Sequence, residues 1–193
     1  MKPTRILHVN TEKGWRGGEI QTLLLARGLI RRGHSILVVA PPDSALEAPC
    51  RQAGVALQST SMRGELDPSA VWSLARIFRR FRPEILHYHT SHAITLGTLA
   101  GCLWQRVACV ATRRVSFDLS RNPLARWKYS SRLDRIIAVS EGIRSVLLQS
   151  GVPGERIRVI PSAVDLERFR DLPNRESVRA TLGYTAGDFV VGT

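Results

Sequence analysis

A chain of 193 residues is long enough for one domain with a real hydrophobic core. Apolar residues make up 44% and charged residues 23%, the balance of an ordinary water-soluble protein, and no run approaches the ~18 consecutive apolar residues of a membrane span. The 28 Lys plus Arg against 16 Asp plus Glu leave a net charge of +12, which calls for an anionic partner: nucleic acid, an anionic membrane surface or a phosphorylated substrate.

Residues 1–5 lead straight into a strand pattern rather than a signal peptide, so a cytoplasmic protein is expected. The apolar run 6–9 is a first buried strand. Residues 10–19 follow as a loop containing Gly14, Gly17 and Gly18. Gly17 and Gly18 are expected to take positive φ and to leave no side chain in the way of a ligand. The helix that follows, over 19–32, has Ile20, Leu23, Leu24, Leu29 and Ile30 on one face and stops at Gly33. Unpaired N–H groups at its start suit a phosphate, although such a loop also serves as a plain strand-to-helix turn.

A second unbroken apolar strand, 36–40, ends at Pro41-Pro42; a short helix over 44–52 and a weaker strand over 55–58 come next. Asp67-Pro68 supplies an N-cap and a first-turn proline for a helix reaching Phe81, with Val71, Leu74, Ile77 and Phe78 as its stripe. Its other face carries Arg76, Arg79, Arg80 and Arg82, read as solvated. Further strands are expected over 85–89, 107–112, 135–139 and 157–160. Between them lie helices over 93–103 and 123–133, a polar loop over 113–122, and a helix capped by Ser140 and stopped by Gly151. Gly97 and Gly101 are expected to bring the first of these helices close to the sheet. Continuous apolar strands alternating with helices point to an α/β doubly wound Rossmann-like parallel sheet. After Pro161 come two short polar helical segments, 165–170 and 174–182, and then residues 188–193, which read as a strand opening a second domain.

In such a sheet, ligands bind beyond the carboxyl ends of the strands. His87 and His89 fall on one side of their strand and Tyr88 on the other. His89, at the strand end, is placed to donate a hydrogen bond to a substrate hydroxyl or phosphate and to change charge near neutral pH, whereas His87 reads as a core histidine. Arg113, Arg114, Arg121, Arg126 and Lys128 offer partners for phosphate or acidic sugars, with Phe117 and Trp127 between them. No G-x-G-x-x-G, P-loop or G-x-S-x-G motif is present. Cys50, Cys102 and Cys109 lack metal-like spacing and read as reduced structural residues, and the five histidines form no HExxH, so no metal is expected.

Four stretches carry a family resemblance: Gly-Gly-Glu at 17–19, His-Tyr-His at 87–89, Ile-Ala-Val-Ser at 137–140, and the run 156–169, Arg-Ile-Arg-Val-Ile-Pro-Ser-Ala-Val-Asp-Leu-Glu-Arg-Phe. Together they resemble the N-terminal half of a GT-B fold glycosyltransferase of the family 4 type, with Ala163 where that family usually has Gly. The resemblance implies an acceptor-binding domain over 1–163, a linker over 164–187, and the first strand of a nucleotide-sugar-binding domain over 188–193. It implies a hexosyltransferase-type enzyme that moves a sugar from a nucleotide-sugar co-substrate, usually with retention and without metal or bound cofactor. The acceptor would be an anionic glycan or lipid-linked molecule of cell-envelope polysaccharide or lipopolysaccharide synthesis, met at the inner membrane face. His89 would stand at the reacting centre, Gly17, Gly18 and Glu19 would face the donor phosphates, and Arg113, Arg114 and Arg121 would line the acceptor side. This half alone is expected to be inactive. The rival readings are a basic α/β nucleic-acid-binding domain, for which no helix-turn-helix, RNP or zinc pattern is found, and a GT-B nucleotide-sugar epimerase or phosphorylase.

Overall fold

The computed structural model describes residues 2–102, 107–115, 128–129 and 132–191. They form two compact units, Met1–Ser162 and Ala163–Thr193. In the first unit the described strands are β1 (Arg5–Val9), β2 (Ser35–Ala40), β3 (Leu57–Ser59), β4 (Ile85–Tyr88), β5 (Ala108–Arg113), β6 (Arg135–Ala138) and β7 (Ile157–Val159). They make one sheet in the order β3-β2-β1-β4-β5-β6-β7, with every neighbouring pair parallel. This is the doubly wound Rossmann-like arrangement. The sequence order turns back between β1 and β4, the switch point at which the ligand crevice of such sheets lies.

Helices α1 (Gly17–Arg31), α2 (Glu47–Gln52), α3 (Pro68–Phe81), α4 (Ser91–Cys102) and α5 (Glu141–Gln149) connect the strands. Their ends are set by local chemistry. Asp67 accepts the Ser69 and Ala70 N–H groups at 3.0 and 3.2 Å, and the Ser69 hydroxyl, the Arg63 N–H and these two bonds hold its carboxyl down at about 2. Ser140 Oγ accepts the Ile143 N–H at 3.3 Å. Gly33 and Gly151 terminate α1 and α5 with φ of 84° each.

Two apolar layers sandwich the sheet. One joins Leu7, Val9, Leu86 and Tyr88 to α3, α4 and α5; the other joins Ile6, Ile36 and Val38 to Ala26 of α1 and Cys50 of α2. Alternation along β4 therefore sends Tyr88 into the first layer and the histidines to the opposite face. Tyr88 is fully buried under Gly97, where an added Cβ would sit 2.7 Å from its Cζ and 2.9 Å from its Oη. Gly97 makes the close approach expected of it. Gly101 does not, since a Cβ there would meet nothing within 4 Å. Cys50 and Cys109 are not in disulfides, and burial pushes the Cys50 thiol up to about 11.

Most of the helix expected over 123–133 and the aromatic residues Phe117 and Trp127 lie outside the described residues. The second unit contains a 3-10 turn, Leu166–Phe169, and helix α6 (Arg175–Thr181), capped by Asp165 and Asn174. The strand expected from residue 188 is not formed over the described residues 188–191, because this unit holds no described strand for it to pair with. Among the described residues, no helix is long and apolar enough to cross a membrane.

Candidate active site

The loops after β1 and β4 meet at the crevice and are tied together. Asn10, fully buried, donates its N–H to Val39 O at 3.0 Å and its Nδ2 to Glu19 Oε1 at 3.1 Å, and its Oδ1 accepts the Glu12 N–H at 2.9 Å. Glu19 Oε2 accepts the Arg16 N–H at 2.9 Å. Thr11 Oγ1 and Thr90 Oγ1 lie 2.7 Å apart, and Thr90 Oγ1 also accepts the Ala93 N–H at the start of α4.

The glycine loop differs from the expected turn. Gly17 and Gly18 are the first two residues of α1 and have no positive φ; among the described glycines that conformation belongs to Gly33, Gly54, Gly151 and Gly183. A Cβ at Gly14, Gly17 or Gly18 would meet nothing within 4 Å. What these glycines supply is open space at the first turn of the helix, where the Arg16 N–H goes to Glu19 and the Glu19 and Ile20 N–H groups go to Arg16 O. Glu19, expected beside them facing a phosphate, is 2% exposed and has both oxygens engaged. It closes the loop from below, and its charge complements the helix N-terminus.

The β1–β4 register sets His8 beside His87, and all three crevice histidines share one face. His8 Nδ1 lies 3.0 Å from His89 Nε2, and His87 Nε2 lies 2.7 Å from Thr112 Oγ1. The rings of His87 and His89 stack with centroids 4.3 Å apart, and His8 is 5.2 Å from each. None is more than 6% exposed. Burial pushes His8 down to about 4. Burial, with the neighbouring histidines and Arg114 adding to it, holds His87 and His89 well below the usual histidine range. His89 is thus neutral near pH 7, not the group of variable charge expected from its position.

The three imidazoles bring potential ligand atoms within 4.8 Å of one another, the one set among the described residues able to hold a metal. Four of their nitrogens are engaged: His8 Nδ1 with His89 Nε2, His87 Nε2 with Thr112 and His89 Nδ1 with the Arg114 cation, whereas His8 Nε2 is buried without a partner. The chemistry is that of a neutral hydrogen-bonded cluster.

The described basic residues expected on the acceptor side, Arg113, Arg114 and Lys128, turn in different directions. Arg113 is 6% exposed and turned inward, with Nε donating to Val115 O at 2.7 Å and Nη1 to Tyr129 Oη at 2.9 Å, and its guanidinium lies over the Tyr129 ring. Lys128 is 3% exposed and ion-paired with Glu65, with Nζ also 2.7 Å from Thr95 Oγ1. Both hold segments in place. Among the described basic residues of this stretch, Arg114 is the one that reaches His89, with Nη1 3.4 Å from His89 O and Nη2 3.3 Å from His89 Nδ1. Arg121 and Arg126 lie outside the described residues. Away from the crevice, Arg76, Arg79 and Arg80 of α3 line an open groove of about 580 Å³ with Gln58, Thr60, Ser73 and Ile77. Trp72, on the same helix, is 63% exposed.

His8 is the participant that the sequence did not single out. Its phase with His87 and His89 becomes visible only once β1 and β4 are known to be neighbours.

The profile of glycosyltransferase family 4 matches residues 15–168, which includes α1, the crevice histidines of β4 and the segment after β7. The chain belongs to glycosyltransferase family 4. No curated protein matches the chain by sequence. Among solved structures, it is similar to a glycosyltransferase from Rickettsia africae (TM-score 0.80, 17% identity, 97% of this chain and 51% of that one). It is also similar to HepE from Anabaena, solved in complex with UDP-glucose (TM-score 0.78, 18% identity, 93% and 50%). A UDP-N-acetylglucosamine 2-epimerase shares the fold at lower similarity (TM-score 0.60, 18% identity, 83% and 49%). The chain thus spans about half the length of these relatives and corresponds to the N-terminal domain of a GT-B architecture.

Proposed function

We propose that this chain is the acceptor-side half of a glycosyltransferase that moves a sugar from a nucleotide-sugar donor to an anionic glycan or lipid-linked acceptor. The observation that carries this reading is the meeting, at the β1–β4 switch point, of a glycine-opened helix N-terminus with the neutral histidine His89 and the Arg114 cation. The helix start and Arg114 suit the phosphates of a donor, and a neutral imidazole suits a sugar hydroxyl. No bound cofactor is called for, and retention with a role in envelope or lipopolysaccharide synthesis remains part of this proposal. The UDP-glucose in HepE supports a nucleotide sugar as the donor class.

The groove of Arg76, Arg79 and Arg80 beside the exposed Trp72 supports peripheral contact with an anionic membrane surface, where such an acceptor would be met. Because the chain spans half of its relatives, activity is assigned to a two-domain enzyme and not to these residues alone. The test is label transfer from a panel of nucleotide sugars to envelope glycans, by the chain alone and by the chain joined to a C-terminal half. Transfer by the joined enzyme only is expected. Interconversion of the free nucleotide sugar without transfer would favour the epimerase reading.

A further inference from the structure

We infer that Arg114 is a positioning residue that fixes His89 as its Nε2–H tautomer, with that proton directed to His8 and the Nδ1 lone pair kept as an acceptor. The inference deepens the proposed function, since it assigns the kind of group His89 can meet.

Hydrogen-bond polarity decides the tautomer. A guanidinium has five donors and no acceptor. Arg114 places Nη2 3.3 Å from His89 Nδ1 and Nη1 3.4 Å from the carbonyl oxygen of the same residue, so one planar fork addresses both ring and backbone. The ring contact requires a lone pair on Nδ1, which leaves Nε2 as the only place for the proton of a neutral His89. Nε2 lies 3.0 Å from His8 Nδ1, and that atom must then be the acceptor. The proton of His8 is in turn forced onto its Nε2, a fully buried atom with no partner. The chain of donors runs one way, from Arg114 through His89 to His8.

The groups facing His89 are consistent with this polarity. His8 faces it from β1, His87 stacks on it from β4, and Arg114 faces it from the segment after β5. Glu19 of α1 acts electrostatically on Arg114. Protonating His89 would turn Nδ1 into a donor against the donors of Arg114 and would place two cations side by side in a buried site.

A chemical assignment follows. While Arg114 holds the tautomer, Nδ1 offers only a lone pair, so a ligand group that approaches it alongside the guanidinium must donate: a sugar hydroxyl fits and an ionised phosphate oxygen does not. The phosphate has its partner in Arg114, whose Nε–H is buried and without a partner. Hydroxyl at His89 and anion at Arg114 are therefore distinct contacts of one crevice.

The test is a long-range proton–nitrogen correlation spectrum of the histidine-labelled chain, followed across pH, with signals assigned through single His8 and His89 substitutions. The expected result is the Nε2–H pattern for both His8 and His89, with no titration in the ordinary histidine range and no change on adding zinc. Arg114→Ala should release His89 into a tautomer mixture and raise the pH at which it protonates, with burial still holding that pH below the ordinary histidine range. An Nδ1–H His89 in the unsubstituted chain, zinc-dependent shifts of these signals, or an unchanged His89 in a folded Arg114→Ala chain would overturn the inference. If that variant does not fold, the unsubstituted spectrum decides alone. No turnover is measured, so failure of sugar transfer and failure of the tautomer assignment are read separately.

Discussion

His8 Nδ1 and His89 Nε2 share a hydrogen bond of 3.0 Å across the β1–β4 boundary, joining two strands that lie 81 residues apart in sequence to one buried point. Both imidazoles are neutral because water is excluded around them, and this has a cost in acid. The folded pKa of His8, about 4, lies below the ordinary 6.5, so the unfolded chain binds more protons as pH falls. Stability should therefore be full above about 6.5 and decline until about 4, by on the order of 3 kcal/mol for His8 alone, with His87 and His89 acting in the same direction. Urea unfolding midpoints measured across this range check it. His8→Gln should flatten the dependence, and a midpoint independent of pH would show that the cluster is solvated.

The binding role proposed for the glycine loop is separable from its folding role. Gly17→Ala and Gly18→Ala add a Cβ into open space at helical φ, so folding stability should hold or rise slightly. Affinity of the joined two-domain enzyme for its nucleotide sugar should fall by about tenfold. Glu19→Ala should do the opposite kind of damage, destabilising the fold by about 1–3 kcal/mol by leaving the Arg16 N–H and Asn10 Nδ2 without their acceptor. Calorimetric binding beside thermal unfolding distinguishes the two, and equal loss of stability in all three variants would argue against open space at the glycines.

Gly97 is required by the ring beneath it. Gly97→Ala places a methyl against Tyr88, which is fully buried and cannot swing away. A loss of about 1–3 kcal/mol is expected from overpacking, despite the better helix propensity of alanine. Tyr88→Leu in the same chain should recover part of that loss, and additive effects of the two substitutions would show that they do not touch.

The arginine face of α3 is tested by vesicle sedimentation. Each basic residue near an anionic surface contributes about 1 kcal/mol, so replacing Arg76, Arg79 and Arg80 together by alanine should weaken binding to phosphatidylglycerol-rich vesicles by about 100-fold. Binding to neutral phosphatidylcholine vesicles should be weak and unaffected. Undiminished binding of the variant would remove this face from the proposal.

Much of the fold is legible in the residues because local signals agree with the final arrangement. The apolar runs at Ile6, Ile36 and Ile85 became strands buried on both faces, and Asp67-Pro68 started its helix at the expected residue. The site is less legible because its parts depend on which strands are neighbours and on where long side chains turn. His8 has no local feature that marks it, and it joins His89 only through the register of β1 on β4. Arg113 and Arg114 are adjacent and identical in type, yet one packs inward on Tyr129 and the other reaches His89; charge in a sequence carries no direction. Gly17 and Gly18 look like turn glycines, but the turn is made by Asn10, Glu12, Arg16 and Glu19 through side-chain bonds, which leaves the glycines as ordinary helical residues with empty space above them.

The most direct measurement is the turnover of the joined two-domain enzyme with His89 replaced by alanine, read against its thermal unfolding. If His89 meets the sugar at the reacting centre, kcat should fall by about 100-fold or more in a variant that still unfolds cooperatively. Turnover at the unsubstituted rate in that folded variant would contradict the assignment of this crevice as the site of transfer.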